Sequence, residues 1–164
     1  MANTFENESR GAAAALIDTL KERGEKITFA ESCTAGLLSG TFCSVPGASE
    51  VYDGGLVSYA NEVKNRLLGV SNEILATKGA VSSECAEAMA RGAARLFSAD
   101  LALSVTGIAG PGGGSKEKPV GTVYICAFYK GKAAVRLFHF AGDRNKVRRA
   151  SVRAALLMAK EAIS

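Results

Sequence analysis

Several residue types are scarce in this sequence, and their scarcity excludes whole classes of protein. The 164 residues include no tryptophan and a single histidine, His139, and the four cysteines form no Cys-x-x-Cys pair. This composition excludes the usual zinc sites and a dense disulfide framework, and it favours reduced thiols. No apolar run approaches the roughly 20 residues that a membrane helix needs, and the polar N-terminus does not look like a targeting segment. We therefore expect a cytoplasmic protein with no metal and no membrane partner.

Charge and aromatic content argue against a nucleic acid partner. The formal net charge is +4, but the Lys and Arg residues are spread along the chain, and aromatic residues make up only 7% of it. Nucleic acid binding normally needs clustered positive charge or aromatic side chains that stack on bases. A mildly basic surface is still compatible with a small phosphorylated substrate.

Hydrophobic periodicity predicts that helices and strands alternate along the chain. The pattern indicates a first helix that ends at Gly24 and further helices at residues 34–45, 61–68, 82–97 and 145–163. It also indicates strands at residues 27–30, 51–60 and 101–107, and a late hairpin that turns at Lys130 and Gly131. With 48% hydrophobic residues, the chain is long enough for one core. We predict a single α/β domain over residues 1–164, a three-layer α/β/α sandwich whose mixed sheet includes the C-terminal hairpin.

The stretch ITFAESCTAG, residues 27–36, places Ser32 between a predicted strand and a predicted helix. Serine is a preferred helix cap, and local rules favour that interpretation. The same corner could present a nucleophilic hydroxyl beside helix N-terminal N–H groups that stabilise an oxyanion, although the Gly-x-Ser-x-Gly pattern of hydrolases is absent. This stretch alone leaves both interpretations open.

A nucleophilic serine needs a base, and the sequence offers two sources for one. His139 shares strand parity with apolar residues, which favours a packed side chain over a catalytic one. The segment SYANEVKNRLLG offers Tyr59 and Lys64 instead. If Asn61 caps the following helix, Lys64 is its third residue, where the helix dipole lowers the pKa of an ammonium group. The alternative is a solvated lysine on a helix face.

Two further segments could bind an anionic substrate. In VTGIAGPGGGSKEKPVG, residues 105–121, a buried-type strand opens into a loop containing Gly107, Gly110 and Gly112, whose N–H groups could cradle a phosphate or carboxylate. A flexible surface loop is the alternative. In GDRNKVRRASVR, Arg144, Arg148 and Arg149 lie around the start of the last helix, where a phosphate could bind, or where they could simply be solvated.

Five ordered segments together resemble one family. They are AESCTAG, VPGASEVYDGGLVSYANEVKNRLLGV, GAVSSECAEAMARGA, VTGIAGPGGGSKEKPVGTVY and GDRNKVRRASV, and they are similar to motifs of the CinA C-terminal domain family, the nicotinamide-nucleotide amidases. The resemblance implies hydrolysis of nicotinamide mononucleotide to nicotinate mononucleotide and ammonia, in pyridine nucleotide salvage. It also implies a serine amidase mechanism carried by Ser32 with Lys64 and Tyr59, and substrate contacts from Thr106 and Gly107.

The resemblance carries further expectations. The chemistry needs no cofactor, and many relatives carry an additional N-terminal domain that has no room here, so we expect the stand-alone form. Ala35 occupies a position where relatives often have glycine. Open sheet edges and apolar helix faces favour a homo-oligomer. The competing hypothesis is a non-catalytic nucleotide-binding or regulatory module linked to competence or DNA damage, which would bind a ligand tightly and release no ammonia.

Overall fold

The protein forms a five-stranded mixed sheet with helices on both faces. A computed structural model describes residues 2–164, with side chains from residue 4 onward. In chain order the elements are α1 (Ala2–Arg23), β1 (Ile27–Glu31), α2 (Leu37–Cys43), a 3₁₀ helix (Ala48–Glu50), β2 (Leu56–Val57), α3 (Asn61–Leu68), α4 (Asn72–Thr77), α5 (Ser83–Phe97), β3 (Leu101–Gly107), β4 (Thr122–Tyr129), β5 (Lys132–His139) and α6 (Arg144–Ile163).

The strands lie in the order β2-β1-β3-β4-β5. Strand β1 is parallel to both β2 and β3, whereas β4 is antiparallel to β3 and β5. The predicted three-layer α/β/α sandwich and its C-terminal hairpin are confirmed.

Two clusters of buried side chains fill the space on the two sides of the sheet. One packs α1, α2 and α6 against the strands and includes the contacting rings of Phe29, Phe42 and Tyr52. The other lies beneath α5 and includes Met89 and Leu68. Since β1 and β3 are buried almost throughout, their residues can contact a ligand only near the ends of the strands.

Close packing at one glycine places α3 against α5. A Cβ atom at Gly92 of α5 would lie 2.0 Å from the carbonyl oxygen of Leu68, the last residue of α3. No side chain fits in that space, so only glycine lets the two helices approach this closely. The contact fixes the position of the helix that carries Lys64.

The strand predicted at 51–60 is much shorter than expected. Only Leu56 and Val57 pair with β1 as a strand. The predicted close backbone approach nevertheless occurs, since a Cβ atom at Gly55 would lie 2.9 Å from the carbonyl oxygen of Phe29. The segment therefore packs tightly against β1, but only these two residues extend the sheet as a strand.

Candidate active site

Ser32 and Lys64 meet at the carboxyl end of β1. Ser32 directly follows that strand, and its Oγ lies 3.1 Å from the Nζ of Lys64 on α3. Ser32 is 9% exposed and Lys64 is 1% exposed. Because β1 and β2 are parallel, their carboxyl ends lie on the same side of the sheet, and the helix that follows β2 begins there, beside Ser32. The topology therefore joins two residues that are 32 positions apart in the sequence.

Neutral oxygen atoms surround the amine of Lys64. Its Nζ donates to the carbonyl oxygens of Ser58 at 2.7 Å and Tyr59 at 3.0 Å. Within residues 2–164, Lys64 forms no ion pair. Burial lowers the pKa of Lys64 from its ordinary value of 10.5. The helix cap is Ala60 rather than Asn61, so Lys64 is the fourth residue of α3, and burial is the main cause of the lowered pKa.

The carboxylate of Glu31, not the hydroxyl of Ser32, binds the N-terminus of α2. Its Oε2 accepts from the N–H groups of Gly36 and Leu38, each at 3.0 Å, and its Oε1 accepts from the N–H and hydroxyl of Ser39 at 2.8 and 2.6 Å. A carboxylate at this position also interacts favourably with the helix dipole. The interpretation of Ser32 as a helix cap is therefore wrong. Sequence reasoning missed Glu31, although an acidic residue five positions before a helix-start glycine was a visible signal.

The turn after Ser32 contains two residues in left-handed conformation. Ala35 has φ 46° and Gly36 has φ 92°. For a residue with a Cβ atom this conformation costs about 1–2 kcal/mol. The backbone thus explains why glycine suits the position that Ala35 occupies.

The N–H group of Gly107 lies beside Ser32 without a partner in the sheet. The N–H of Ser32 donates to the carbonyl oxygen of Val105 at 2.9 Å, so a parallel ladder would continue with Gly107 donating to the carbonyl oxygen of Ser32. That oxygen instead accepts from the N–H of Ala35 at 3.0 Å, and the described hydrogen bonds give the N–H of Gly107 no acceptor there. Strand alternation directs this N–H toward the end of β1. It is a candidate oxyanion donor.

Three of the predicted residues come together at the rim of the site. The hydroxyl of Tyr59, which is 57% exposed, accepts from Nη2 of Arg144 at 3.0 Å, and Nη1 of Arg144 donates to the carbonyl oxygen of Gly110 at 2.9 Å. These contacts join the loop before α3, the glycine loop and the start of α6. In the described part of the chain, the Tyr59 hydroxyl forms no hydrogen bond with Ser32 or Lys64; only its main-chain carbonyl contacts the lysine.

The side chains of the remaining predicted residues form no hydrogen bond with Ser32 or Lys64 in the described part of the chain. The hydroxyl of Thr106 is buried and donates to the carbonyl oxygen of Ala80 at 2.7 Å. Gly112 is exposed in the glycine loop, and exposed Arg149 lines a cavity of about 340 Å³ with residues of α1 and α2. His139 is exposed on edge strand β5, so the prediction that it is packed is wrong. Three strand spacings, about 14 Å, separate β5 from β1, too far for His139 to serve as the base.

Sequence reasoning also missed the contact that Arg148 makes with the turn. Its Nε donates to the carbonyl oxygen of Cys33 at 3.2 Å and its Nη2 to that of Thr34 at 2.8 Å. Burial raises the pKa of the neighbouring Cys33 thiol to about 11. This thiol is therefore protonated near neutral pH, and the hydroxyl of Ser32 is the better candidate nucleophile.

Within residues 2–164, no cluster of three or more His, Cys, Asp or Glu side chains could hold a metal ion. No helix in the same range is both long enough and apolar enough to cross a membrane.

Comparison with known sequences places the chain among CinA-related proteins. A CinA-like protein of Geobacter sulfurreducens is 50% identical over 136 residues, covering 83% of this chain and 33% of that protein. A putative competence-damage inducible protein of Caldicellulosiruptor bescii is 48% identical over 148 residues, covering 90% of this chain and 36% of that protein. The chain thus spans about a third of the length of these curated relatives.

Solved structures show the same fold. The crystal structure of the competence/damage inducible protein CihA from Agrobacterium tumefaciens matches with a TM-score of 0.92 and 40% identity, covering 95% of each chain. A CinA superfamily protein from Escherichia coli matches with a TM-score of 0.90 and 34% identity, covering 94% of this chain and 90% of that one. Residues 9–163 match the family model of the CinA C-terminal domain. This chain therefore belongs to the CinA C-terminal domain family.

Proposed function

We propose that this protein is an amidohydrolase that converts nicotinamide mononucleotide and water into nicotinate mononucleotide and ammonia. The single observation that carries the proposal is the 3.1 Å contact between Ser32 Oγ and Lys64 Nζ at the end of β1. Serine supplies a nucleophilic hydroxyl, and a neutral lysine can accept its proton. Family membership supports the choice of substrate.

The hydrogen bonds of Lys64 suit a neutral amine. Such an amine has two N–H donors and one lone pair, whereas an ammonium group has three donors and no lone pair. The carbonyl oxygens of Ser58 and Tyr59 can take two N–H groups. The third neighbour is the Ser32 hydroxyl, which can donate to the lone pair. The lowered pKa of Lys64 increases the neutral fraction near pH 7.

The proposed reaction proceeds through an acyl-enzyme. The Oγ of Ser32 attacks the carboxamide carbon while Lys64 takes the hydroxyl proton, and the N–H of Gly107 donates to the developing oxyanion. The protonated Lys64 then gives its proton to the leaving nitrogen, and ammonia departs. Water, deprotonated by Lys64, attacks the resulting ester, and the acid leaves as Ser32 regains its proton. These steps need no cofactor.

The rim residues are the proposed contacts for the nucleotide phosphate. Arg144 lies beside the exposed glycine loop, binds only neutral acceptors, and forms no ion pair within the described residues. Its guanidinium is therefore available to a phosphate. Nicotinamide riboside, which lacks the phosphate, should be a much poorer substrate, and Arg144→Met should reduce this preference. Equal efficiency with the two substrates would show that the phosphate is not recognised.

An ammonia-release assay on the purified protein tests the reaction. Ser32→Ala should abolish turnover of nicotinamide mononucleotide, and Lys64→Met should lower kcat by about 10²-fold or more, with both variants folded by circular dichroism. Cys33→Ala is the matched control next to Ser32, and it should retain turnover because that thiol is not the nucleophile. Near-normal turnover by Ser32→Ala would remove Ser32 as nucleophile. Tight ligand binding without ammonia release by the unmodified protein would favour the regulatory-module hypothesis.

We also propose that the protein acts in the cytoplasm as a homo-oligomer. The cysteine pattern of the sequence supports a reducing compartment. Strand β5 forms one edge of the sheet, and Leu137 on this strand and Leu157 on α6 are 47% and 40% exposed. Open edges and exposed apolar side chains favour self-association. Light scattering coupled to size-exclusion chromatography measures the oligomeric state, and a monomer at micromolar concentration would contradict this part.

A further inference from the structure

Arg148 contacts the nucleophile turn, which we define as residues 32–36, from the first turns of α6. Its guanidinium is half-buried and donates to the carbonyl oxygens of Cys33 and Thr34 at 3.2 and 2.8 Å. Arg148 forms no ion pair with any residue that the structure describes. A positive charge without a paired carboxylate therefore lies directly against the turn that carries Ser32.

The turn needs contacts from outside to keep its shape. Ala35 and Gly36 are both left-handed, and a left-handed alanine is unfavourable by itself. Glu31 accepts from N–H groups at the end of the turn and the start of α2. Arg148 donates to carbonyl groups in the middle of the turn. Glu31 thus binds N–H donors of this backbone segment, and Arg148 binds its carbonyl acceptors.

The charge of Arg148 also acts on the residue beside Ser32. Burial raises the pKa of the Cys33 thiol, and the negative charge of Glu31 acts in the same direction, whereas the larger effect of the Arg148 charge favours a thiolate. The same field favours negative charge on the neighbouring Ser32 Oγ. Charge-assisted hydrogen bonds to carbonyl groups are stronger than neutral ones, so the guanidinium both orders the turn and contributes an electrostatic field.

We propose that Arg148 is a positioning residue for Ser32: it holds the nucleophile turn so that Oγ stays within reach of Lys64, and its charge favours the negative charge that develops during attack. Arg148 acts through the turn and not by touching the substrate. The proposal rests on the proposed function in one respect, since it needs Ser32 to be the nucleophile. It goes beyond that function by assigning a role on α6 that is separate from phosphate binding.

Steady-state kinetics give the first test. Misplacing a nucleophile by about 1 Å or removing a preorganised charge costs about 10²-fold in rate. Arg148→Met should therefore lower kcat for ammonia release by about 10²-fold with KM within about twofold of the unmodified protein. Arg148→Lys keeps the charge and loses the two-pronged contact, so its kcat should lie between that of the unmodified protein and that of Arg148→Met. Arg153→Met, on the same helix with only an exposed ion pair to Glu8, is the matched control and should stay within about twofold.

Covalent labelling gives a second readout that does not depend on the natural substrate. With phenylmethanesulfonyl fluoride, Ser32 Oγ bonds to sulfur, fluoride leaves, and Lys64 takes the hydroxyl proton. Intact-mass spectrometry measures the labelling rate, and Ser32→Ala identifies the modified residue. We expect Arg148→Met to slow labelling by about 10²-fold while its circular dichroism spectrum is unchanged. If Arg148→Met does not fold, Arg148→Lys takes its place, with an intermediate decrease expected.

The outcomes separate the two proposals. Equal labelling rates for the unmodified protein and a folded Arg148 variant would overturn the role of Arg148, as would a rise in KM with kcat unchanged. Labelling that depends on Arg148, without ammonia release from nicotinamide mononucleotide, would support the positioning role and refute the proposed substrate. Absence of both Ser32 labelling and ammonia release in the unmodified protein would overturn both.

Discussion

The free energies of unfolding of Lys64→Met and of the unmodified protein should differ by an amount that depends on pH. Lys64 is 1% exposed, and burial lowers its pKa from 10.5. In the unfolded chain the lysine keeps its proton up to about its ordinary pKa. Between the lowered pKa and 10.5, the unfolded state therefore binds more protons than the folded state. The free energy of unfolding of the unmodified protein must rise with pH across this window.

The expected slope follows from one proton. Full protonation of the unfolded state against a neutral folded state changes the free energy of unfolding by about 1.4 kcal/mol per pH unit. Methionine does not titrate, so the difference between the two proteins isolates Lys64. Lys64→Met also leaves the carbonyl oxygens of Ser58 and Tyr59 without their donor, which adds a cost that does not depend on pH. The slope, and not the sign of the difference at one pH, is therefore the prediction.

Urea unfolding followed by circular dichroism between pH 6 and pH 10 measures this slope. Relative to Lys64→Met, the unmodified protein should gain stability as pH rises above the lowered pKa of Lys64, and the difference should be flat below that pKa. Lys64→Leu has a different shape and must give the same slope, because the slope depends only on the proton. A difference that does not change with pH over the whole range would refute a lowered pKa, and with it the neutral lysine base.

Three further predictions concern the backbone that supports the site. Glu31→Gln should lower the free energy of unfolding by about 3 kcal/mol, because an amide nitrogen cannot accept from the N–H groups at the start of α2. The control Glu62→Gln, on the surface of α3, should change the free energy of unfolding by less than about 0.5 kcal/mol. Equal effects of the two substitutions would contradict the role of Glu31. Ala35→Gly should raise the melting temperature by about 2 °C, because relief of left-handed strain exceeds the added unfolded-state entropy; a lower melting temperature would contradict this. Gly92→Ala should lower the free energy of unfolding by about 3 kcal/mol and should lower activity. The control Gly11→Ala lies in α1 with open space around it, and it should raise the free energy of unfolding by up to about 1 kcal/mol in the same denaturation assay. If Gly92→Ala left stability unchanged, α3 and α5 would need no close approach.

Long periodic segments could be predicted from the sequence with good boundaries. The spacing of apolar residues identified α1 and α6, and the runs around Lys130 and Gly131 identified the hairpin. These elements are determined by local patterns, since one face of each is apolar and turn or cap residues mark its ends. Helix α4 was missed because six residues carry too little periodicity, and only the cap of Ser71 on the N–H of Ile74 marks its start.

The candidate site was predicted in part. The sequence pointed to Ser32 and Lys64, and the structure brings their reactive atoms within 3.1 Å. The position of Glu31 before a helix-start glycine was a signal, but the sequence alone could not decide whether this residue binds the start of α2 or faces solvent. It also could not show that Tyr59 contacts Arg144 through its hydroxyl and Lys64 through its carbonyl. Hydrogen-bond partners of this kind depend on how distant segments pack.

By itself, the sequence determined the α/β class, the order of the elements and the residue types able to perform serine amidase chemistry, because periodicity, turn residues and motifs are local properties of the chain. Tertiary structure alone decided which of those residues meet. The parallel pairing of β1 with β2 and β3 brings Ser32, Lys64 and Gly107 to one sheet edge, and burial there changes the pKa of the lysine. Charge and reactivity depend on the surrounding dielectric and on neighbours far away in the sequence, which exist only once the chain has folded.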